Sequence, residues 1–214
     1  MIEIIPAIIA HTYEEFEQKV KAVEPFVDRV HLDIMDGVFV PDKTIHGVEE
    51  INRIETPLDF DVHLMVTRPQ HSFDDWLQTK AQNFFVHAES NVDLISFIRQ
   101  VETAGKSAGV VLNPGTDINE LAGVAHLLKS VQFMTVYPGQ YGAEFVSGVI
   151  PKISAFHLKY PRVKIYVDGA MHLETAKLAV VAGASGIIMG GHIFSENRPV
   201  DESINELKES LRHF

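Results

Sequence analysis

Eight short apolar runs recur along the chain, each bounded by turn residues and each followed by a longer stretch of helical period. The runs are Ile2 to Ile9, Arg29 to Ile34, Leu58 to Val66, Asn83 to His87, Ser107 to Leu112, Val131 to Val136, Val163 to Val167 and Ser185 to Met189. Between them apolar residues return every three or four positions, as with Phe16, Val20 and Val23 in Tyr13 to Val23 and with Leu94, Ile95, Ile98 and Val101 in Val92 to Thr103. Thr12 with Glu15 has the spacing of a capping box, and Gly105 and Gly183 stand where helices end. Strands alternating with helices pair in parallel through right-handed crossovers and need cover on both faces. Two architectures meet that demand: a closed (β/α)8 TIM barrel and an open doubly wound sheet. Eight units in 214 residues favour the barrel, and no linker interrupts the rhythm, so residues 1–214 read as a single α/β domain.

Composition narrows the function. With 46% hydrophobic and 22% charged residues the chain can build a core, which removes disorder as a reading. The formal charge of −11 and the lack of a Lys or Arg cluster exclude the basic surface that nucleic acid requires. There is no cysteine, so disulfides, thiolate metal sites and Cys nucleophiles are excluded. No apolar run nears a membrane span, and the N-terminus, interrupted by Glu3, has no basic leader region, so a cytoplasmic protein is expected.

Parallel strands buried on both faces should be continuously apolar, and two of them are not. In His31-Leu32-Asp33-Ile34-Met35 the alternation of side chains puts His31, Asp33 and Met35 on one face and Leu32 and Ile34 on the other. Asp61-Val62-His63-Leu64-Met65 repeats the arrangement, and Asp168 ends the seventh strand just before Gly169. At the mouth of a barrel the C-terminal strand ends converge, so His31, Asp33, His63 and Asp168 would surround one point. Two imidazoles and two carboxylates suit Zn²⁺, Fe²⁺, Mn²⁺ or Co²⁺, and one divalent cation per chain would offset the cost of crowding two carboxylates out of water. A metal-free ion-pair network is the alternative.

These motifs, together with Asp36-Gly37-Val38-Phe39-Val40-Pro41, Gly109-Val110-Val111-Leu112-Asn113-Pro114, Met134-Thr135-Val136-Tyr137-Pro138-Gly139 and Gly190 to Phe194, resemble the ribulose-phosphate 3-epimerase family over nearly the whole chain. The resemblance implies a (β/α)8 barrel that interconverts D-ribulose 5-phosphate and D-xylulose 5-phosphate with one divalent ion, as a homo-oligomer that takes a small sugar phosphate. It makes His31, Asp33, His63 and Asp168 the metal ligands and Asp33 and Asp168 the acid/base pair. Inverting a carbon beside a ketone takes a base on one face and an acid on the other, which explains the need for two carboxylates. The resemblance also places Met35, Met65 and Met134 around the substrate; read as residues alone, they are barrel-mouth packing in preference to substrate contacts. Gly169, Gly190 and Gly191 allow backbone amides to approach a phosphate, aided by a following helix N-terminus, although ordinary turns use glycine as well. Gly139 and Gly142 belong to a segment that resembles the family's loop over the site, or forms a plain surface turn.

The departures from the family pattern all fall on the substrate side. Ala7 and Ala10 stand where serines are usual, Gln140 and Tyr141 replace Phe and Gly in the mouth loop, Ala170 replaces a Gly, and Gly191-His192 follows Gly190. The reaction type is therefore more strongly implied than the substrate. A hexulose 6-phosphate such as D-allulose 6-phosphate is the second candidate, and a non-catalytic sugar-phosphate-binding barrel the third. A decarboxylase or aldolase barrel would want an inward lysine, which these motifs lack.

Overall fold

In the computed structural model, which describes residues 2–139, 142–195 and 197–214, the eight strands close into one parallel barrel in chain order. The strands are β1 (Glu3–Ile8), β2 (Arg29–Met35), β3 (Asp59–Met65), β4 (Asn83–His87), β5 (Ser107–Leu112), β6 (Ser130–Met134), β7 (Lys164–Asp168) and β8 (Gly186–Met189). β8 pairs with β1, with Glu3 opposite Gly186 and Pro6 opposite Met189, and this closes the ring. Several ends differ from the apolar runs because the ladder, not hydropathy, sets them. β2 extends to Met35, where it still pairs with Met65. β6 stops at Met134, because Thr135 turns to the carbonyls ending β7, its N–H donating to Asp168 O at 2.7 Å.

The helices are α1 (Tyr13–Val23), α2 (Val48–Arg53), α3 (Phe73–Leu77), α4 (Leu94–Thr103), α5 (Val149–Lys159), α6 (Leu173–Val181) and α7 (Val200–Ser210). Between β5 and β6 the described residues form only a 3₁₀ stretch, Ile118–Leu121. The cap of α1 is half the expected box: Thr12 Oγ1 accepts from Glu15 N–H at 3.2 Å, while the Glu15 carboxylate takes the His11 N–H at 2.8 Å. α4 starts two residues later than its apolar pattern because Asp93 caps it, accepting from Ser96 N–H at 2.6 Å. At its other end Gly105, at φ 77°, donates to Glu102 O, and Lys106 donates to Val101 O, so the last carbonyls are satisfied. Gly183 closes α6 in the same way.

Strand alternation sorts the core into two shells. Outward residues such as Leu32, Phe60, Val62, Phe84 and Phe133 meet Phe16, Ile98, Phe156 and other helical residues in one continuous apolar layer. Burying each such side chain contributes roughly 1.5 to 3 kcal/mol. Inside the barrel the apolar set is small: Ile5, Ala7, Phe85, Val111, Met134, Tyr166 and Ile188. Met35 and Met65 add a second apolar group at the mouth, and most of the other interior side chains are polar. Among the described residues no helix is long and apolar enough to cross a membrane.

Candidate active site

β2 and β3 are in a register that sets Asp33 opposite His63 and Met35 opposite Met65. On the far side of the mouth, Asp168 is the last residue of β7, opposite Met134 of β6. His31, Asp33, His63 and Asp168 are all buried, and one ligand atom from each lies within 4.8 Å of the others. His63 Nδ1 is 2.8 Å from Asp33 Oδ1, and His31 Nε2 is 3.9 Å from that same oxygen. Neither ring nitrogen of His31 has a hydrogen-bond partner. A buried imidazole without partners is costly, and two buried carboxylates that meet no Lys or Arg are more so. The donor set, two nitrogens and carboxylate oxygens at one point, fits a divalent first-row cation.

Burial, and after it the neighbouring Asp33 carboxylate, push Asp168 up to about 7 against the opposing pull of His63. Gln132 Nε2 donates to Asp168 Oδ2 at 3.1 Å and lies 3.4 Å from His63 Nδ1. Behind His63, its Nε2 is 2.8 Å from Nε2 of His87, whose Nδ1 is 3.3 Å from Glu89 Oε2. Burial is the main cause that drops His87 to about 4, where the ring is neutral at ordinary pH. Burial works the other way on Glu89 and is outweighed by hydrogen bonds from His87, the Thr116 hydroxyl and the Asn113 N–H, which bring it to about 2.

Above the four residues opens a cavity of about 510 Å³. Asp33 and Asp168 reach its floor, whereas His31 and His63 lie beneath it, fully buried. Met35, Met65 and Met134 line it, as do Gly139, Gly142, Gly169, Gly190 and Gly191. Gly169 is required twice over: its φ is 100°, and a Cβ there would stand 2.5 Å from Val136 Cγ2. The next residue, Ala170, keeps a left-handed φ of 46° although it has a side chain. Ala7 lines the cavity, but Ala10 does not: it is fully buried in the layer between barrel and helices. The expectation that both alanines face the substrate therefore fails for Ala10, since the chain has left the strand by that point. After β8 the chain makes one turn, with Ile193 and Phe194 donating to Gly190 O, and the next helix begins only at Val200, so the expected helix N-terminus is reduced to that turn. Gln140 and Tyr141 lie outside the described residues.

Sequence reasoning passed over His87, Glu89, Gln132, Asp42 and His172. His87 and Gln132 had the same signal as His31 and Asp33, a polar residue at an inward position of an apolar strand. Glu89, Asp42 and His172 stand on loops, where no period marks direction; the last two line the cavity.

The sequence profile of the Ribulose-phosphate 3 epimerase family matches residues 3–194. The ribulose-phosphate 3-epimerase of Bacillus subtilis is 34% identical over 217 residues, spanning 98% of this chain and 100% of that protein. The chloroplastic ribulose-5-phosphate-3-epimerase of Arabidopsis thaliana is 34% identical over 219 residues, spanning 99% of this chain and 78% of that protein. Among solved structures, a 3-hexulose-6-phosphate synthase superposes with a TM-score of 0.73 at 16% identity, covering 98% of this chain and 99% of the other, a likeness of fold alone. No lysine lines the described cavity, in keeping with the absence of an inward lysine from the motifs. The profile match and the full-length relatives lead to one conclusion: the chain belongs to the ribulose-phosphate 3-epimerase family and is a carbohydrate epimerase.

Proposed function

We propose that the chain catalyses the divalent-metal-dependent C3 epimerisation of a ketose phosphate, interconverting D-ribulose 5-phosphate and D-xylulose 5-phosphate. The observation that carries this reading is the pair of buried carboxylates, Asp33 and Asp168, on strands β2 and β7 at the floor of one cavity. One carboxylate takes the proton from C3 and the other returns a proton to the opposite face, so the two exchange roles with the direction of reaction. Without a cation, burial and the Asp33 carboxylate push Asp168 up to about 7, so the pair shares a proton near neutral pH; positive charge bound there would favour the carboxylate form. His31, Asp33, His63 and Asp168 would hold the cation, which when bound supplies positive charge beside the oxygens where the enediolate charge develops. Met35, Met65 and Met134 surround the reacting carbon with apolar, polarisable surface and limit water. Gly169, Gly190 and Gly191 offer backbone amides to the phosphate, so a chain of charge −11 can still bind an anion.

Ala7 supports a second substrate. Its methyl group lines the cavity and offers no hydroxyl to orient a pentulose, so a hexulose 6-phosphate, one carbon longer, is turned over as well. The test is side-by-side kinetics on both sugar phosphates with protein loaded in turn with Zn²⁺, Fe²⁺, Mn²⁺ and Co²⁺. Epimerisation of D-ribulose 5-phosphate that EDTA abolishes is the expected result. Turnover of neither sugar by any metal-loaded form overturns the reading in favour of a sugar-phosphate-binding barrel.

A further inference from the structure

Two histidines and a glutamate form a chain of contacts that leads away from the proposed metal ligands. Glu89 Oε2 is 3.3 Å from His87 Nδ1, His87 Nε2 is 2.8 Å from His63 Nε2, and His63 Nδ1 is 2.8 Å from Asp33 Oδ1. The two rings meet edge to edge, with their centroids 4.9 Å apart and their planes 23° from parallel, and Phe39 covers His87 from the side, 4.8 Å away. His63 and His87 are both fully buried, so solvent cannot supply the missing partners.

Counting protons gives the chain a direction. A nitrogen–nitrogen contact of 2.8 Å needs one donor and one acceptor, and a neutral imidazole has one of each. Glu89 is fixed as an acceptor, because its Oε1 already receives the Asn113 N–H at 3.0 Å and the Thr116 hydroxyl. His87 must therefore carry its proton on Nδ1 and leave Nε2 bare. That bare nitrogen accepts from His63 Nε2–H, so a neutral His63 turns an unprotonated Nδ1 toward Asp33 Oδ1, 2.8 Å away, a contact between lone pairs that a shared cation would relieve. The opposite direction would set a bare His87 nitrogen against the Glu89 carboxylate.

We propose that Glu89 and His87 are positioning residues that fix His63 as its Nε2–H tautomer, so that the Nδ1 lone pair is presented to the divalent cation. The assignment rests on the metal reading of the preceding subsection. It gives His63 an outer partner of the kind that orients ligating histidines, two residues deep instead of one.

Zinc-loaded wild-type protein tests it without a variant. Long-range ¹⁵N–¹H correlation spectra should show His63 with its proton on Nε2 and Nδ1 bound to metal; a proton on Nδ1 overturns the proposal. In parallel, competition with a chelator should show His87→Phe binding zinc about 10- to 100-fold more weakly. His87→Gln, whose amide oxygen can accept the same hydrogen bond, should recover most of that loss. Folded His87→Phe protein that binds zinc as tightly as wild type overturns the relay and leaves the metal site standing. Wild-type protein that binds no zinc overturns both. If His87→Phe does not fold, the wild-type spectrum decides.

Discussion

The barrel buries charge at both ends, and the two ends are built differently. At the N-terminal end Asp61, fully buried, receives Arg29 at 3.3 Å and Asn83 at 2.6 Å, and Arg29 also pairs with Glu3, which Lys164 meets at 3.0 Å. The Tyr166 ring lies 4.9 Å from the Arg29 guanidinium. Carboxylates there have resident cations. At the C-terminal end Asp33 and Asp168 meet imidazoles, the Gln132 amide, the Gly169 backbone and each other, with no Lys or Arg among the described residues, and Asp168 is pushed up to about 7. Both ends draw on aspartates at inward strand positions; what differs is whether the protein supplies the positive charge. An end that supplies it is sealed and structural, whereas an end that does not keeps its carboxylates ready to exchange protons and to accept a cation from outside.

Substitutions that exchange these characters are the largest test. Asp33→Asn and Asp168→Asn should each lower kcat/KM for D-ribulose 5-phosphate by about 10²- to 10⁴-fold while the circular dichroism spectrum stays that of the wild type. Arg29→Met at the opposite end should do the reverse. It strands the buried Asp61 carboxylate and should cost about 3 to 5 kcal/mol in urea unfolding, with kcat per folded molecule nearly unchanged. A loss of activity that tracks stability at both ends would erase the distinction.

Glu89 gives a smaller effect with a defined sign. Its native value near 2 lies below the ordinary 4.5, so the folded state favours its carboxylate. The stability it contributes is present above about pH 4.5 and is lost as pH falls toward 2. Acid unfolding followed by circular dichroism should therefore be less pH-dependent in that window for Glu89→Gln than for wild type. The smallest effect is at Ala170, whose φ of 46° strains a residue with a Cβ. Ala170→Gly should stabilise the protein by roughly 0.5 to 1 kcal/mol, the relieved strain being partly offset by the greater freedom of glycine in the unfolded chain. A lower melting temperature for this variant would contradict that account of the loop after β7.

Much of this was legible in the sequence, for reasons that also explain what was not. The period of two in His31-Leu32-Asp33-Ile34-Met35 and in Asp61-Val62-His63-Leu64-Met65 carries directly to the direction of each side chain, so the convergence of four ligand-type residues could be read before the fold was known. Helix α4 and strand β6 end elsewhere than their apolar runs because hydrogen bonds of Asp93 and Thr135 set those ends, and hydropathy does not register them. His87 and Gln132 are readable by the same parity, but each strand offers no carboxylate or second imidazole beside them, so each reads as incidental. Ala10 was misplaced because parity holds only within a strand, and β1 ends at Ile8.

The central claim is that the two carboxylates at the open end move a proton at C3. Its most direct test is turnover of D-ribulose 5-phosphate by the metal-loaded protein in D₂O, with the recovered sugars examined by NMR. Deuterium should enter C3 of the epimerised product and, through the reverse reaction, C3 of the recovered substrate, and Asp168→Asn should nearly abolish both. Product of inverted configuration that retains its original C3 hydrogen would contradict the account.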